Sequence, residues 1–278
     1  VIATLHNYRL ACPQATMRRD GEFCDLCVGS SARPALQHRC VNGSLVQSVA
    51  GVATRSSWSR SFGSIDRFLA PSAVVAEVAI AAGVPSSKVR ILPHFTTDPG
   101  PRSSAPSASP TVLFVGRLSE EKGVDVLLEA WAQRERSEQL VICGDGPLRS
   151  RLEVCAPSSV TFRGAVTPSE AAREMLSARV IVVPSIWQEP FGLVTIEAMA
   201  AGLGVITTDH PSHREIVGEQ AGRFAQPGDT PSLGAVLDEL DDTSVDRMGR
   251  AGRLEFERRF RPDVHLSALE ALYREVLR

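Results

Sequence analysis

Along the second part of the chain, short runs that are apolar at nearly every position alternate with stretches whose apolar residues recur every three or four positions. The first kind predicts buried strands at Thr111–Val115, Leu140–Cys143, Val160–Arg163, Val180–Val183, Gly204–Thr207 and Ala221–Ala225. The second predicts helices over Val124–Arg134 (through Val124, Leu127, Leu128 and Trp131), Pro147–Cys155, Pro168–Ser177 and Phe191–Ala201, the last closed by Gly202. Helices are expected through most of the remainder to Arg278. Repeated strand–helix units with fully apolar strands imply a parallel sheet covered on both faces. Ligands of such sheets sit beyond the carboxyl ends of the strands.

The first part is less regular. Val1–Leu5, Arg67–Ala70 and Val89–Leu92 read as strands, and Leu45–Trp58 and Ala73–Ala82 as helices, with a cysteine-bearing loop between the first strand and the first helix. That spacing corresponds to the back half of a Rossmann-type domain, and the chain opens directly on a strand. Asp98–Pro110 is rich in Pro, Ser and Ala, has no apolar period, and reads as a linker.

The 278 residues suffice for two domains, and 43% hydrophobic with 22% charged content places them with soluble globular chains. The longest apolar runs are too short or too Ala-rich for a membrane span, and the first residues lack the basic start of a secretory signal. The net charge of −2 is unevenly spread: residues 1–105 carry 11 Lys and Arg against 6 Asp and Glu, and the acidic excess lies in the rest. A basic first half permits docking on an anionic membrane surface; ordinary surface variation explains it equally well.

Two segments at the carboxyl edge carry chemistry. Gly116-Arg117-Leu118-Ser119-Glu120-Glu121-Lys122-Gly123 follows one strand and offers two cations. Glu189-Pro190-Phe191-Gly192-Leu193-Val194-Thr195-Ile196-Glu197 follows another, opens a helix, and offers two carboxylates. Arg and Lys neutralise the charge on a departing diphosphate. The N–H groups at Gly192, Leu193 and Val194 sit at a helix start, where anions are favoured. If the segment were fully helical, the two carboxylates would stand about 12 Å apart, against roughly 5–9.5 Å for a pair acting on one glycosidic bond. The spacing therefore favours the two ends of one extended ligand. No Asp-x-Asp pair points to a metal.

These residues resemble the retaining glycosyltransferases of the GT-B fold, group 1 (family 4) class. Gly116-Arg117 with Lys122-Gly123 resembles that family's G-R-x-x-x-x-K-G element, Glu189-x7-Glu197 its E-x7-E signature, Gly144-Asp145-Gly146-Pro147 its G-x-G-P turn, and Ala198–Gly202 with Gly204–Ile206 its helix–strand exit. Leu5-His6-Asn7-Tyr8 resembles the strand that ends in a functional His, while Pro93-His94-Phe95 stands where the family has Pro-Asn-Gly. Members carry roughly another hundred residues ahead of this point.

The resemblance implies an α/β chain of two Rossmann-like domains facing a cleft, the first one partial. Residues 1–105 would form the acceptor side and 106–262 the nucleotide-sugar domain, with 263–278 a helix packing back on the first. It implies a hexosyltransferase that moves a sugar, with retention and without a metal, from a nucleoside-diphosphate sugar (UDP ahead of GDP) to a glycan or lipid-linked acceptor in polysaccharide assembly. Arg117, Lys122, Glu189 and His6 would be catalytic. Gly116, Gly144, Gly192, Leu193, Val194 and Glu197 would bind the donor, with Glu189 on sugar hydroxyls and Glu197 on the ribose. No cofactor is required, no nucleic acid is involved, and the setting would be cytoplasmic, at the inner face of the membrane.

Other readings stay open. The chain fits a catalytically idle nucleotide-sugar-binding fragment, half of a split enzyme, or a sugar-nucleotide epimerase on the same architecture. Gly144 also serves its turn, and Asp145 reads as a cap of the next helix. Cys12, Cys24, Cys27 and Cys40, with His38 nearby, fit a structural zinc site, a disulfide or plain thiols. Cys143 and Cys155 read as small core residues.

Overall fold

The computed structural model describes residues 1–134 and 137–277. Glu135 and Arg136, within the expected nucleotide-sugar domain, and Arg278, at the end of the expected last helix, lie outside the described residues. The chain forms two compact units, one of residues 1–94 with 265–278 and one of residues 95–264.

In the first unit, β1 (Ile2–Thr4) leads into an irregular stretch holding a two-stranded hairpin, β2 (Arg18–Arg19) and β3 (Glu22–Phe23), and the short α1 (Arg33–Gln37). Then follow α2 (Leu45–Ser61), β4 (Arg67–Ala70), α3 (Ala73–Ala81) and β5 (Val89–Ile91). β4 lies centrally between β1 and β5, all parallel. Phe68, Leu69 and Ala70 are buried at this centre, with Phe68 and Ala70 in one core with Val75 and Ala79 of α3. Ser44 and Ser72 cap α2 and α3 through their side chains. The hairpin had no sequence signal. It is built from tight turns at Ala15, Met17 and Asp20, all with positive φ. Arg55 of α2 ties this stretch down by donating to the carbonyls of Leu10, Cys27 and Ser30.

The second unit contains β6 (Thr111–Val115), α4 (Val124–Ala132), β7 (Gln139–Cys143), α5 (Arg149–Cys155), β8 (Val160–Gly164), α6 (Pro168–Ser177), β9 (Val180–Val183), α7 (Leu193–Ala200), β10 (Gly204–Thr208), α8 (Pro211–Ala221), β11 (Gly222–Ala225), α9 (Thr230–Asp238) and α10 (Asp242–Arg259). The six strands run in the order β8-β7-β6-β9-β10-β11, every neighbouring pair parallel. Alternate side chains feed two cores. Leu113, Ile181 and Val205 pack with Ile196, Met199, Phe256 and Phe260 on one face. Val112, Phe114, Val182 and Ile206 pack with Leu127, Trp131 and Leu233 on the other. After β8 the chain returns to the far side of β6. Strand order therefore reverses between β6 and β9, and the loops leaving these two strands diverge around a crevice.

The Pro/Ser-rich stretch that reads as a linker is strapped to this unit. Asp98 pairs with Arg253 at 2.6 Å, and Ser107 bonds the Asp246 carboxylate through N and Oγ at 2.9 Å each. The Arg102 guanidinium donates to the carbonyls of Met175 (2.9 Å), Ala178 (2.6 Å) and Ala201 (3.4 Å). Arg102→Ala leaves those helix-end carbonyls without their charged donor. It is expected to lower stability by about 2 kcal/mol, read from the midpoint of urea unfolding.

α11 (Pro262–Val276) follows, and from His265 onward the chain groups with the first unit. His265 Nδ1 bonds the Pro93 carbonyl at 2.7 Å, and Glu275 meets Arg67 at 2.6 Å and Arg90 at 3.0 Å. Both arginines hold the Glu275 carboxyl below its ordinary range. Among the described residues no helix is long and apolar enough to cross a membrane.

Candidate functional site

The crevice at the strand reversal is built by three glycine-dependent loops. Gly123 (φ 66°) packs so closely on the loop after β9 that a Cβ would stand 2.1 Å from the Pro184 carbonyl oxygen. At Gly144 (φ 147°) a Cβ would stand 1.8 Å from the Gly116 oxygen. The turn after β7 is thus seated directly on the loop that carries Gly116 and Arg117. This gives Gly144 a packing role whatever is bound. Asp145 does not cap α5, which starts at Arg149. Its carboxylate accepts from Gly146 N (2.7 Å) and Arg149 (3.0 Å) within its own turn.

The loops after β6 and β9 bring Lys122 and Glu189 together. Lys122 Nζ lies 2.7 Å from Glu189 Oε1, and Ser185 Oγ donates to the same oxygen. Glu189 is only 6% exposed. Burial raises its pKa, but the Lys122 ammonium, the neighbouring His213 and the hydrogen bonds from Lys122 and Ser185 outweigh this and leave it below the ordinary carboxylate range. The helix expected from Phe191 starts two residues later. Gly192 adopts φ 97° as the N-cap of α7, and Phe191 is buried in the core as an anchor. Leu193 and Val194 open α7 with no side-chain cap over their N–H groups. Glu197 is half-buried on α7, and burial pushes its carboxyl up. Arg117 is exposed just beyond β6.

His6 belongs to the first unit. It is exposed just after β1, its ring stacked on that of His94 with centroids 5.6 Å apart and planes at 14°. Burial, then His6 and His265, push the His94 ring down. Cys12, Cys24, Cys27 and Cys40 share the walls of one small cavity with His38. Burial raises the thiols of Cys27 and Cys40, and the neighbouring thiols add to this. All six cysteines are free, and among the described residues no group of three or more His, Cys, Asp or Glu is placed to hold a metal ion. The zinc and disulfide readings therefore have no support in the structure. Cys143 is buried as expected, but Cys155 is exposed and not part of the core.

A cleft of about 710 Å³, lined among others by Asp98, Arg102, Gly202, Arg250 and Arg253, opens at the amino ends of the strands. None of the predicted donor residues lines it.

Ser185, Thr195, Thr207, Thr208 and His213 escaped the sequence reading. His213 is fully buried in the first turn of α8, after β10. Its Nδ1 lies 2.8 Å from Thr207 Oγ1. The available signal was positional: the loop after β10 is the next one along the same carboxyl edge.

A six-stranded parallel sheet in Rossmann order in one unit and a three-stranded parallel sheet in the other are consistent with a GT-B-like α/β architecture. Residues 109–242 match the sequence model of the glycosyl transferases group 1 family. The chain is 37% identical over 160 residues to a GDP-mannose-dependent alpha-mannosyltransferase of Mycobacterium tuberculosis, covering 55% of this chain and 41% of that one. It is 34% identical over 181 residues to a phosphatidyl-myo-inositol mannosyltransferase of Mycobacterium leprae, covering 62% and 48%. Among solved structures, Anabaena HepE in complex with UDP and glucose superposes with a TM-score of 0.72 at 17% identity, over 98% of this chain and 71% of that chain. The matched segments span 35–48% of the length of the curated relatives.

Proposed function

We propose that the chain takes part in the transfer of a sugar, with retention, from a nucleoside-diphosphate sugar to a glycan or lipid-linked acceptor. The observation that carries this reading is the Lys122–Glu189 ion pair, which joins the cationic and acidic loops at the strand reversal. Arg117, Lys122 and the N–H groups of Leu193 and Val194 provide positive charge for a departing diphosphate, which supports a metal-independent reaction. Glu189 would hold the sugar and Glu197 the ribose. Gly116, Gly144 and Gly192 would let backbone approach the donor, and His6 would act from the first unit.

For the base, HepE was solved with UDP, and the mycobacterial enzyme is named for GDP-mannose. UDP is the first arm of the test and GDP the second. The phosphatidyl-myo-inositol mannosyltransferase supports a lipid-linked acceptor, and the basic first 105 residues support work at the cytoplasmic face of a membrane.

Thermal unfolding with UDP, GDP, UDP-glucose and GDP-mannose tests the reading. At a hundred times Kd, a donor should add about 2.7 kcal/mol of stability, and Glu197→Ala should abolish that gain. A flat response to all four ligands would reject the donor site. Donor binding without transfer to any acceptor would favour a binding module over an enzyme.

A further inference from the structure

His6 is fixed through its backbone and loose through its side chain. Leu5 N donates to the Leu69 carbonyl at 2.8 Å just beyond β1, and Leu5 and Tyr8 are both buried. The His6 ring between these anchors is exposed. Among the described residues no hydrogen bond or ion pair holds it, and its ring contact is His94. A histidine that acts on a substrate needs its ring nitrogens aimed, and a freely turning ring spends entropy at each turnover.

His94 reaches the same place from the other side of β4. Leu92 N donates to the Ala70 carbonyl at 2.8 Å as the chain leaves β5, so the segments beyond β1 and β5 are both tied to the carboxyl end of β4. The two rings meet there as an offset stack, centroids 5.6 Å apart and planes at 14°. His94 is half-buried, and burial, followed by the His6 and His265 rings, pushes its pKa below the ordinary histidine value. At pH 7 it is therefore an uncharged aromatic face, on which either an imidazole or an imidazolium can lie.

His94 is itself held. His265, at the start of α11, bonds the Pro93 carbonyl through Nδ1 at 2.7 Å. A carbonyl only accepts, so Nδ1 carries the proton. That oxygen belongs to the Pro93–His94 peptide, and the bond fixes the plane of the link that carries the His94 side chain. Pro93 adds a fixed φ. His6, Pro93, His94 and His265 all lie in the first unit. The ring at position 94 is this chain's own feature: Pro93-His94-Phe95 stands where the resembled family has Pro-Asn-Gly, and an asparagine offers no ring to stack.

We propose that His94 is a positioning residue for His6. Its ring sets the plane of the His6 imidazole, and so the direction in which the His6 nitrogens meet the substrate. His265, through the Pro93 carbonyl, keeps the ring at position 94 in place. The inference rests on the proposed function, in which His6 acts from this unit. The role asks for no contact between His94 and the reacting atoms, and no covalent bond changes at it.

Two measurements test this. Turnover of UDP-glucose or GDP-mannose is read as release of the nucleoside diphosphate. His94→Ala should lower kcat about tenfold, the upper worth of a stacked pair, and leave the donor KM within about twofold, because the aim of His6 matters in the transition state. His94→Asn should match it. His94→Phe keeps a ring to stack and should stay within about threefold of wild type. A Phe variant as slow as the Ala variant overturns the proposal, since that is the result of a role carried by imidazole hydrogen bonds alone. An Ala variant at the wild-type rate overturns it as well. Separately, ligand-free NMR follows the carbon-bound ring protons of His6, assigned by their loss in His6→Ala. Removing the neighbouring ring in His94→Ala should shift them, and in His94→Phe an NOE should join the rings at positions 6 and 94. Unmoved His6 resonances in the Ala variant, or no such NOE in the Phe variant, also overturn it. If wild type turns over neither donor, the transferase reading falls, and the NMR measurement still decides whether His94 holds the His6 ring.

Discussion

Glu189→Gln is expected to lower sugar transfer on the order of 10³-fold and stability by about 3 kcal/mol. The substitution keeps the shape of the side chain and removes its charge. Lys122 Nζ, on a side chain 26% exposed, then faces a neutral oxygen, and Ser185 loses a charged acceptor. Removing one partner of a largely buried pair leaves the other uncompensated, which outweighs the attraction itself. Single-turnover transfer and urea unfolding check the two effects. A variant within threefold of wild type and equally stable would show that the pair does not organise the site.

The same pair sets a pH dependence. The Glu189 pKa lies below its unfolded value, so the folded state binds its proton less readily. The stability it contributes is therefore complete above the unfolded carboxylate pKa of about 4.3 and is lost as pH falls through the lower folded value. Glu189→Gln should flatten that acid limb and leave the neutral range parallel to wild type.

Gly144→Ala is expected to cost about 3 kcal/mol, and to lower the unfolding temperature of this unit by roughly 6–12 °C. Two effects combine. A φ of 147° is strained for any side chain, and the new Cβ would stand 1.8 Å from the Gly116 carbonyl oxygen. Relief must come from moving the backbone of the loop that carries Arg117, so donor affinity should fall with stability. Gly234→Ala is the control. Gly234 lies within α9, where a Cβ would meet nothing within 4 Å, and the change should be neutral or stabilising by up to about 1 kcal/mol. Equal melting temperatures for Gly144→Ala and wild type would show that the turn is not seated on Gly116.

Much of the second unit was legible from apolar periodicity. α6 at Pro168–Ser177 and β9 at Val180–Val183 coincide with their predicted bounds. β9 is apolar at all four positions because both of its faces are covered. The misses have local causes. The helix expected from Pro147 begins at Arg149, and the one expected from Phe191 begins at Leu193. In each case a residue ahead of the helix is engaged elsewhere, the Gly146 backbone against Leu118 and Phe191 in the core. The stretch read as a linker is bound through Arg102, Asp98 and Ser107 to groups 73 to 155 residues away, which no local pattern records. The hairpin at residues 18–23 is formed by turns, with Arg18 Nε donating to the Gly21 carbonyl, and has no alternating apolar pattern.

The order of strands and helices, the two charged loops and the glycines between them were written in residue types and spacings, because burial on both faces, helix starts and tight turns each select residues locally. Which strands are neighbours, that Lys122 meets Glu189, and that His213 of the first turn of α8 lies near that carboxylate were decided only by the tertiary structure. Those contacts join positions 67 residues apart or lie on separate loops. Their energies depend on burial and on which hydrogen-bonding groups share one enclosed space, and neither quantity exists until the sheet has assembled.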